Sequence, residues 1–94
     1  MLTMQSEITD HPEKGRFELD VGGKIVFARY AREGRTLVIP YVEAPPSLRG
    51  TGAGGRLMTG IMEMARAEKL KVRPLCSYAA AWMYRHRQYH DLFG

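Results

Sequence analysis

Length, composition and charge already limit what this protein can be. The chain has 94 residues, of which 45% are hydrophobic, and 14 Lys and Arg against 10 Asp and Glu give a net charge of +4. This length suits one small domain that carries its active site on the core and excludes a separate substrate domain. The positive charge favours an anionic partner, such as a nucleotide cofactor, an acidic protein surface or nucleic acid.

The single cysteine and the N-terminal segment bear on where the protein works. Cys76 has no second cysteine to pair with and cannot form a zinc site by itself, which favours a reducing compartment. Residues 1–15 are polar and hold no apolar run, unlike a signal peptide or a membrane span. We therefore expect a cytoplasmic protein with a frayed lead-in over residues 1–15 and one domain over residues 16–94.

Three β-prone segments follow the lead-in. Residues 16–21 alternate strictly between polar and apolar, whereas residues 24–30 are apolar on both faces, which predicts a strand buried on both sides. Residues 36–43 form a third strand, in which Pro40 lacks the N–H needed for pairing and predicts a bulge or an unpaired edge. Because the links are short, we expect an antiparallel meander.

The second half of the chain predicts a helix, a strand and a helix. Apolar residues recur at helical spacing over residues 54–69, and the short segment 71–76 is β-prone with Pro74 inside it. A strand reached through a crossover helix lies parallel to a strand of its sheet. Ser77 is a candidate N-cap for a last helix over residues 78–86. The fold class is therefore α/β (α+β).

A glycine-rich loop lies between the third strand and the first helix. It consists of Arg49, Gly50, Thr51, Gly52, Ala53, Gly54 and Gly55. Glycines let the backbone approach a ligand closely, and converging N–H groups at a helix N-terminus favour negative charge. The loop lacks the Gly-Lys-Ser/Thr ending of a P-loop and does not follow a first strand, as the dinucleotide fingerprint does. A flexible turn is the alternative to a phosphate site.

The loop resembles the Arg/Gln-x-x-Gly-x-Gly/Ala signature of the GNAT superfamily, with Arg49, Gly52 and Gly54 at its defined positions. The resemblance to small single-domain GNAT-like acetyltransferases continues from Arg16 onward. The residues that carry it include Glu43, Pro45, Pro46, Leu48, Gly50, Leu57, Leu70, Lys71, Val72, Pro74, Cys76, His86 and Tyr89. These relatives usually have His-Thr-Glu where this chain has Tyr41, Val42 and Glu43, so any role of that histidine is lost or passes to Tyr41.

The resemblance implies a fold, a cofactor and a reaction. The expected fold is a minimal GNAT-type antiparallel meander with a crossover helix and a parallel strand, in a splayed sheet flanked by helices. Residues 49–55 would bind the pyrophosphate of acetyl-coenzyme A, and its pantetheine arm would enter between the strands that carry Pro40 and Pro74. The acetyl group would pass to a primary amine, either a protein lysine, a protein N-terminus or a small amine.

Glu43 and Cys76 are the candidate catalytic residues. Glu43 could act as general base on the incoming ammonium, or it could be a solvent-facing glutamate. Cys76 precedes a helix N-terminus, which can activate a thiol, so it is either an acyl carrier, a wall of the pocket or a small buried residue. We favour direct attack by the amine over an acetyl-Cys76 intermediate. Candidates for protonating the departing thiolate are Tyr84, Tyr89 and Cys76.

The remaining features leave alternatives open. His86 and His90 have helical spacing but no third ligand, so no metal site is predicted, and Arg85 to Arg87 form a cationic helix end. A non-catalytic module that binds coenzyme A is the main alternative to an enzyme. A basic nucleic-acid binder is less favoured, because no helix concentrates basic residues on one face. The sequence allows either a monomer or a homodimer.

Overall fold

The computed structural model describes residues 7–94. Its strands are β1 (Ile8–His11), β2 (Arg16–Val21), β3 (Lys24–Glu33), β4 (Thr36–Glu43) and β5 (Lys71–Pro74). Its α-helices are α1 (Ala53–Ala67) and α2 (Ser77–Arg85). Three short 3₁₀ helices cover Pro12–Lys14, Pro46–Leu48 and Arg87–Leu92. Neither α-helix of this part of the chain is long and apolar enough to cross a lipid bilayer.

The five strands form one sheet in the order β1-β2-β3-β4-β5. The first four strands are antiparallel neighbours, and β5 lies parallel to β4. This confirms the predicted meander and the parallel strand reached through a crossover helix. Short turns such as the one at Gly22 and Gly23 leave each strand no alternative but to pair with its predecessor.

A bulge in β4 lies at Pro40, as the sequence predicts. Arg29 pairs with Tyr41 and Ala31 pairs with Val38, so two residues of β4 lie opposite one residue of β3. Pro40 is one of these two, and it has no N–H to offer the ladder. The bulge therefore falls where pairing costs the least.

One face of the sheet carries the hydrophobic core. Helix α1 directs its buried stripe against this face, and Trp82 and Met83 of α2 join the same cluster. The buried residues of α1 are Ala53, Leu57, Met58, Ile61, Met62 and Ala65. Each fully buried Leu, Ile or Met contributes about 1.5–3 kcal/mol, so this helix holds the sheet together from one side.

Two predictions about the strands are wrong. Strand β3 is buried on one side only, since Val26 and Ala28 are fully buried whereas Ile25 and Phe27 are half-buried. Ile25 and Phe27 are not part of the core cluster, so apolar residues at these positions do not mark a second core layer. Ile8–His11, which we placed in a frayed lead-in, is a strand paired with β2, and residues 1–6 lie outside the described residues.

The helix boundaries also differ from the predicted ones. Helix α1 ends at Ala67 because Lys69 adopts a left-handed conformation with φ of 60°, which closes the helix. Strand β5 ends at Pro74, and the N-cap of α2 is Cys76 with no side-chain capping bond, so Ser77 is the first helical residue and not the cap. The 3₁₀ helix Arg87–Leu92 was not predicted.

Candidate active site

The glycine loop leads directly into α1 in a defined shape. The carbonyl oxygen of Leu48 accepts hydrogen bonds from the Thr51 backbone N–H at 3.2 Å and from the Thr51 hydroxyl at 2.5 Å. Gly50 and Gly52 have φ of 78° and 89°, and a side chain is strained at either position. The loop is therefore a hydrogen-bonded turn that needs glycine at these two positions.

The start of α1 offers unused backbone donors. Gly54 and Gly55 lie in the first helical turn, where N–H groups have no partner inside the helix, and within residues 7–94 no acceptor faces them. The first turn also contains no acidic residue. Because the helix dipole adds positive potential here, the site suits phosphate oxygens. The chemistry of the loop thus fits the pyrophosphate of a nucleotide cofactor.

A cavity of about 420 Å³ opens beside these donors. Its walls are the end of β4, the glycine loop and the first turn of α2, and they comprise Val42, Ala44, Leu48, Arg49, Gly50, Gly52, Gly54, Gly55 and Tyr78. Arg49 is held at the rim by a 3.2 Å hydrogen bond from its Nε to the Ala44 carbonyl oxygen. No carboxylate of the described chain pairs with it, so its charge is available to a ligand.

Strands β4 and β5 separate next to this cavity. Their last paired residues are Ile39 and Pro74, and the Ile39 carbonyl oxygen then accepts both the Leu75 N–H at 2.9 Å and the Cys76 N–H at 3.1 Å. Beyond this point β4 continues without β5, which turns away into α2. Cys76, half-buried and free, lies two residues beyond the end of β5, directly before α2.

Tyr78 is a site residue that the sequence analysis missed. Its hydroxyl lies so close to Gly54 that a Cβ added there would be 2.6 Å from the oxygen. Burial raises the pKa of Tyr78, Arg85 opposes this shift, and nearby Cys76 adds to it. The hydroxyl therefore keeps its proton at neutral pH. The sequence signal for Tyr78 was its position two residues after Cys76, at the start of the predicted last helix.

Glu43 lies on the other face of the sheet. It pairs with Phe27, and Tyr41 pairs with Arg29, so these four residues share the side opposite α1. The Tyr41 hydroxyl donates a short hydrogen bond to Glu43, which raises the pKa of Tyr41. The structure thus places Tyr41 beside Glu43 but gives Glu43 no hydrogen bond to Cys76.

The two other tyrosines considered as proton donors are occupied elsewhere. Tyr89 is buried, and its hydroxyl donates to Glu63 at 2.6 Å. Burial first, and then this bond, raise the pKa of Tyr89 to about 12. Tyr84 is 73% exposed and lies against His90 and Phe93. Neither side chain lines the cavity at the glycine loop.

The two histidines predicted not to bind metal are engaged with the backbone. His86 Nδ1 donates to the Trp82 carbonyl at 2.7 Å, and His90 Nε2 donates to the Tyr84 carbonyl at 2.9 Å. In the described part of the chain, no group of three or more His, Cys, Asp or Glu side chains is placed to hold a metal ion.

A second, larger groove of about 840 Å³ continues from the glycine loop between α1 and α2. Gly52 and Gly55 belong to both cavities, and the groove extends past Arg56 and Thr59 to the ring of Trp82. His86 lies flat on that ring, with 3.8 Å between their centroids. A ligand that binds at the loop therefore has room on both sides of the α1 N-terminus.

Comparison with known proteins decides the family. The sequence model of the GCN5-related N-acetyltransferase family matches residues 16–92 of this chain. The chain belongs to the GCN5-related N-acetyltransferase family. A GCN5-like protein from Staphylococcus aureus, solved by NMR, has the same fold with a TM-score of 0.74 and 22% identity, over 95% of this chain and 88% of that one. No curated protein matches the sequence.

Family membership confirms the resemblance and the minimal GNAT-type fold that we expected. The mixed sheet, with its antiparallel meander, one parallel pair and helices, matches the fold of the Staphylococcus aureus structural neighbour. The chain is therefore a member of a transferase family. The roles of Glu43, Cys76 and residues 49–55 are tested by neither comparison.

Proposed function

We propose that this protein transfers the acetyl group of acetyl-coenzyme A to a primary amine. The observation that carries the proposal is the separation of β4 and β5 directly beside the glycine loop. One cavity joins the unpaired amides of α1, the cation of Arg49 and the hydroxyl of Tyr78. A cofactor with a pyrophosphate and a long, narrow arm fits such a site, because one end meets N–H donors and the other meets an opening between strands.

The bound cofactor supplies an activated acetyl thioester, and the chain supplies its surroundings. Gly54 and Gly55 would donate backbone hydrogen bonds to the pyrophosphate, with Arg49 as the charged partner. Val42, Ala44 and Leu48 give the cavity an apolar wall for the pantetheine arm. The thioester carbonyl would then lie near Ile39 and Cys76, where β4 and β5 separate.

The transfer would proceed by direct attack. The neutral amine attacks the carbonyl carbon, the carbon–sulfur bond breaks, the nitrogen loses its second proton to water, and the sulfur leaves as a thiolate that takes up a proton. Tyr78 is the best-placed donor of that proton, because its hydroxyl lines the cavity and remains protonated at neutral pH. The incoming ammonium must lose one proton first, and Glu43 would accept it directly or through water.

Cys76 would take no part in this scheme; it lies next to Tyr78 in the chain region that borders the cavity but is not one of the wall residues. A covalent route would move the acetyl group from the cofactor to the Cys76 sulfur and then to the amine. The thiol lies at the N-terminus of α2, but nothing described there acts as a base to remove its proton. Direct attack therefore remains the simpler proposal.

Titration calorimetry with acetyl-coenzyme A, and separately with free coenzyme A, tests the binding step. We expect one-to-one binding of both ligands. Arg49→Glu should weaken both by about a hundredfold, because it reverses the charge that meets the phosphates. Arg87→Glu makes the same charge change at an exposed position on neither cavity and should bind like the parent.

Each outcome of this titration has a defined meaning. Binding that survives Arg49→Glu would refute the placement of the cofactor, and no binding by the parent would refute the function. Acetyl transfer to a simple amine, followed by thiol release, tests catalysis. Tight binding with no release in the presence of any amine would favour a non-catalytic coenzyme A module.

A further inference from the structure

The sheet face opposite α1 carries a small cluster of aromatic and charged side chains, which we call the open face: Phe27, Arg29, Tyr41 and Glu43. Strand register places them side by side, and the Phe27 and Tyr41 rings are 6.1 Å apart. Tyr41 is 44% exposed. Tyr41 and Glu43 lie on the stretch of β4 beyond its separation from β5, so the open face borders the proposed reaction site from the side opposite the core.

Arg29 is one of the arginines that form no ion pair within residues 7–94, as is Arg49 at the glycine loop, and it is the one that lies on the open face. Half of the ten arginines form ion pairs: Arg16 with Glu18, Arg32 with Asp10 and Glu68, Arg56 with Glu7, Arg66 with Asp91 and Arg73 with Glu33. The Arg29 guanidinium lies 5.9 Å from the centroid of the Phe27 ring, and Arg29 is flanked in the sheet by Arg16 and Tyr41. The hydrogen bond to Glu43 raises the pKa of Tyr41, and the charges of Arg29 and Arg49 oppose this shift.

The open face therefore presents two opposite charges, Glu43 and Arg29, on neighbouring strands, next to the Arg16–Glu18 ion pair on β2. Glu43 attracts an ammonium group, and Arg29 attracts a carboxylate. A substrate that satisfies both carries its amine close to an acidic group. A polycationic amine satisfies Glu43 alone and is repelled by Arg29.

The shape of the open face argues for a large substrate. Both described cavities begin at the glycine loop, and neither is lined by Phe27, Arg29, Tyr41 or Glu43. A small free amine would gain little contact on such a shallow surface, whereas an extended peptide segment can lie along it and contact the aromatic rings.

We propose that the acetyl acceptor is a protein amine, on a lysine or an N-terminus, that is flanked by acidic residues and docks on the open face. The ammonium group is held by Glu43, and an acidic neighbour is held by Arg29. This inference rests on the proposed acetyl transfer and adds the class of acceptor to it. A free polyamine is the acceptor that it excludes.

Charge reversal at one position tests the docking. Two peptides that differ only in the residues around one lysine, glutamates in one and arginines in the other, are compared as acceptors by kcat/KM. We expect the parent to prefer the glutamate peptide by about tenfold. Arg29→Glu should reverse the preference, and Arg29→Gln should remove it. Lys24→Glu makes the same charge change on the same strand, at the turn, and should leave it unchanged.

Binding provides a second readout that does not depend on turnover. Fluorescently labelled peptides are titrated with protein saturated with free coenzyme A, and the Kd is followed by anisotropy at low and moderate salt. Preference for the glutamate peptide should weaken as salt rises and should be lost in Arg29→Glu. Unchanged affinity of the variants for acetyl-coenzyme A shows that the fold and the cofactor site are intact.

The outcomes distinguish a failure of the acidic-acceptor proposal from a failure of the proposed acetyl transfer. Equal use of the two peptides, or the same loss of preference in Lys24→Glu, would overturn the acidic acceptor. Transfer to propylamine or spermidine but to neither peptide would also overturn it while leaving acetyl transfer in place. If acetyl-coenzyme A binds but none of these amines is acetylated, both proposals fail.

Discussion

The paired and the open halves of the β4–β5 junction differ in almost every physical respect. In the paired half, residues 36–39 lie alongside residues 71–74, and Leu37, Ile39 and Val72 are completely buried. In the open half, Tyr41 is 44% and Leu75 is 63% exposed. The same two segments thus belong to the hydrophobic core where they pair, and they border an opening where they separate. Stability should depend on the first half and ligand binding on the second.

The largest effect is expected from a pair of substitutions on one strand. Ile39→Ala removes a fully buried side chain from the core cluster and should lower the free energy of unfolding by about 2–5 kcal/mol. Tyr41→Ala, two residues along in the open half, should cost less than about 1 kcal/mol. Denaturant unfolding of both variants measures the difference. Similar losses would mean that the two halves are not energetically distinct.

Tyr78 and Tyr84 on α2 allow a test of the open half by activity. Tyr78→Phe removes the hydroxyl that lines the cavity and should lower kcat for acetyl transfer by about a hundredfold or more. Its affinity for acetyl-coenzyme A should change little, because the ring remains. Tyr84→Phe, at an exposed position of the same helix, is the matched control and should retain full kcat. A normal kcat in Tyr78→Phe would exclude this hydroxyl as the proton donor.

Gly54→Ala should separate ligand binding from stability. A Cβ at this position would be 2.6 Å from the Tyr78 hydroxyl, so the tyrosine side chain must move. We expect about a tenfold loss of acetyl-coenzyme A affinity by calorimetry, with a melting temperature equal to or above that of the parent, since alanine favours helix more than glycine does. Loss of stability together with affinity would show that Tyr78 cannot adjust.

Tyr89 should contribute to the stability of the fold, and this contribution should depend on pH in the alkaline range. Removing its bond to Glu63 by Tyr89→Phe should cost about 1 kcal/mol. Because its pKa is raised in the folded state, to about 12 from 10.0, the stabilisation is present below pH 10 and is lost as pH rises toward 12. Unfolding curves across this range should fall less steeply for Tyr89→Phe than for the parent. The same slope in both proteins would contradict the pKa shift.

The smallest effect is expected at the point of separation itself. If the amine attacks directly, Cys76→Ala should change kcat by no more than about threefold, because the thiol then takes no part in the bonds that form and break. Initial rates and a mass-spectrometric search for acetylated protein measure this. A loss of several orders of magnitude, together with an acetyl group trapped on the parent protein, would instead establish the covalent route.

The sequence predicted the elements whose signal is local. Alternation over residues 16–21, helical spacing over residues 54–69 and the missing N–H of Pro40 each depend on neighbouring residues, and the structure has a strand, a helix and a bulge there. The glycine loop was also recognised from the chain, because left-handed glycines before a helix leave a pattern in the sequence. The strand at Ile8–His11 was missed because a short polar segment becomes a strand only when β2 offers it an edge.

The composition of the site was decided by the tertiary structure. Tyr78 lies over Gly54 because α2 starts where β5 leaves β4, and no spacing in the sequence encodes the approach of residues 24 positions apart. The expectation that β3 is covered on both sides was wrong for a similar reason. Apolar side chains show that a strand can be buried, but only the number of helices and their positions decide which face is covered. The open face, with Arg29 on it, is the face that the core cluster does not cover.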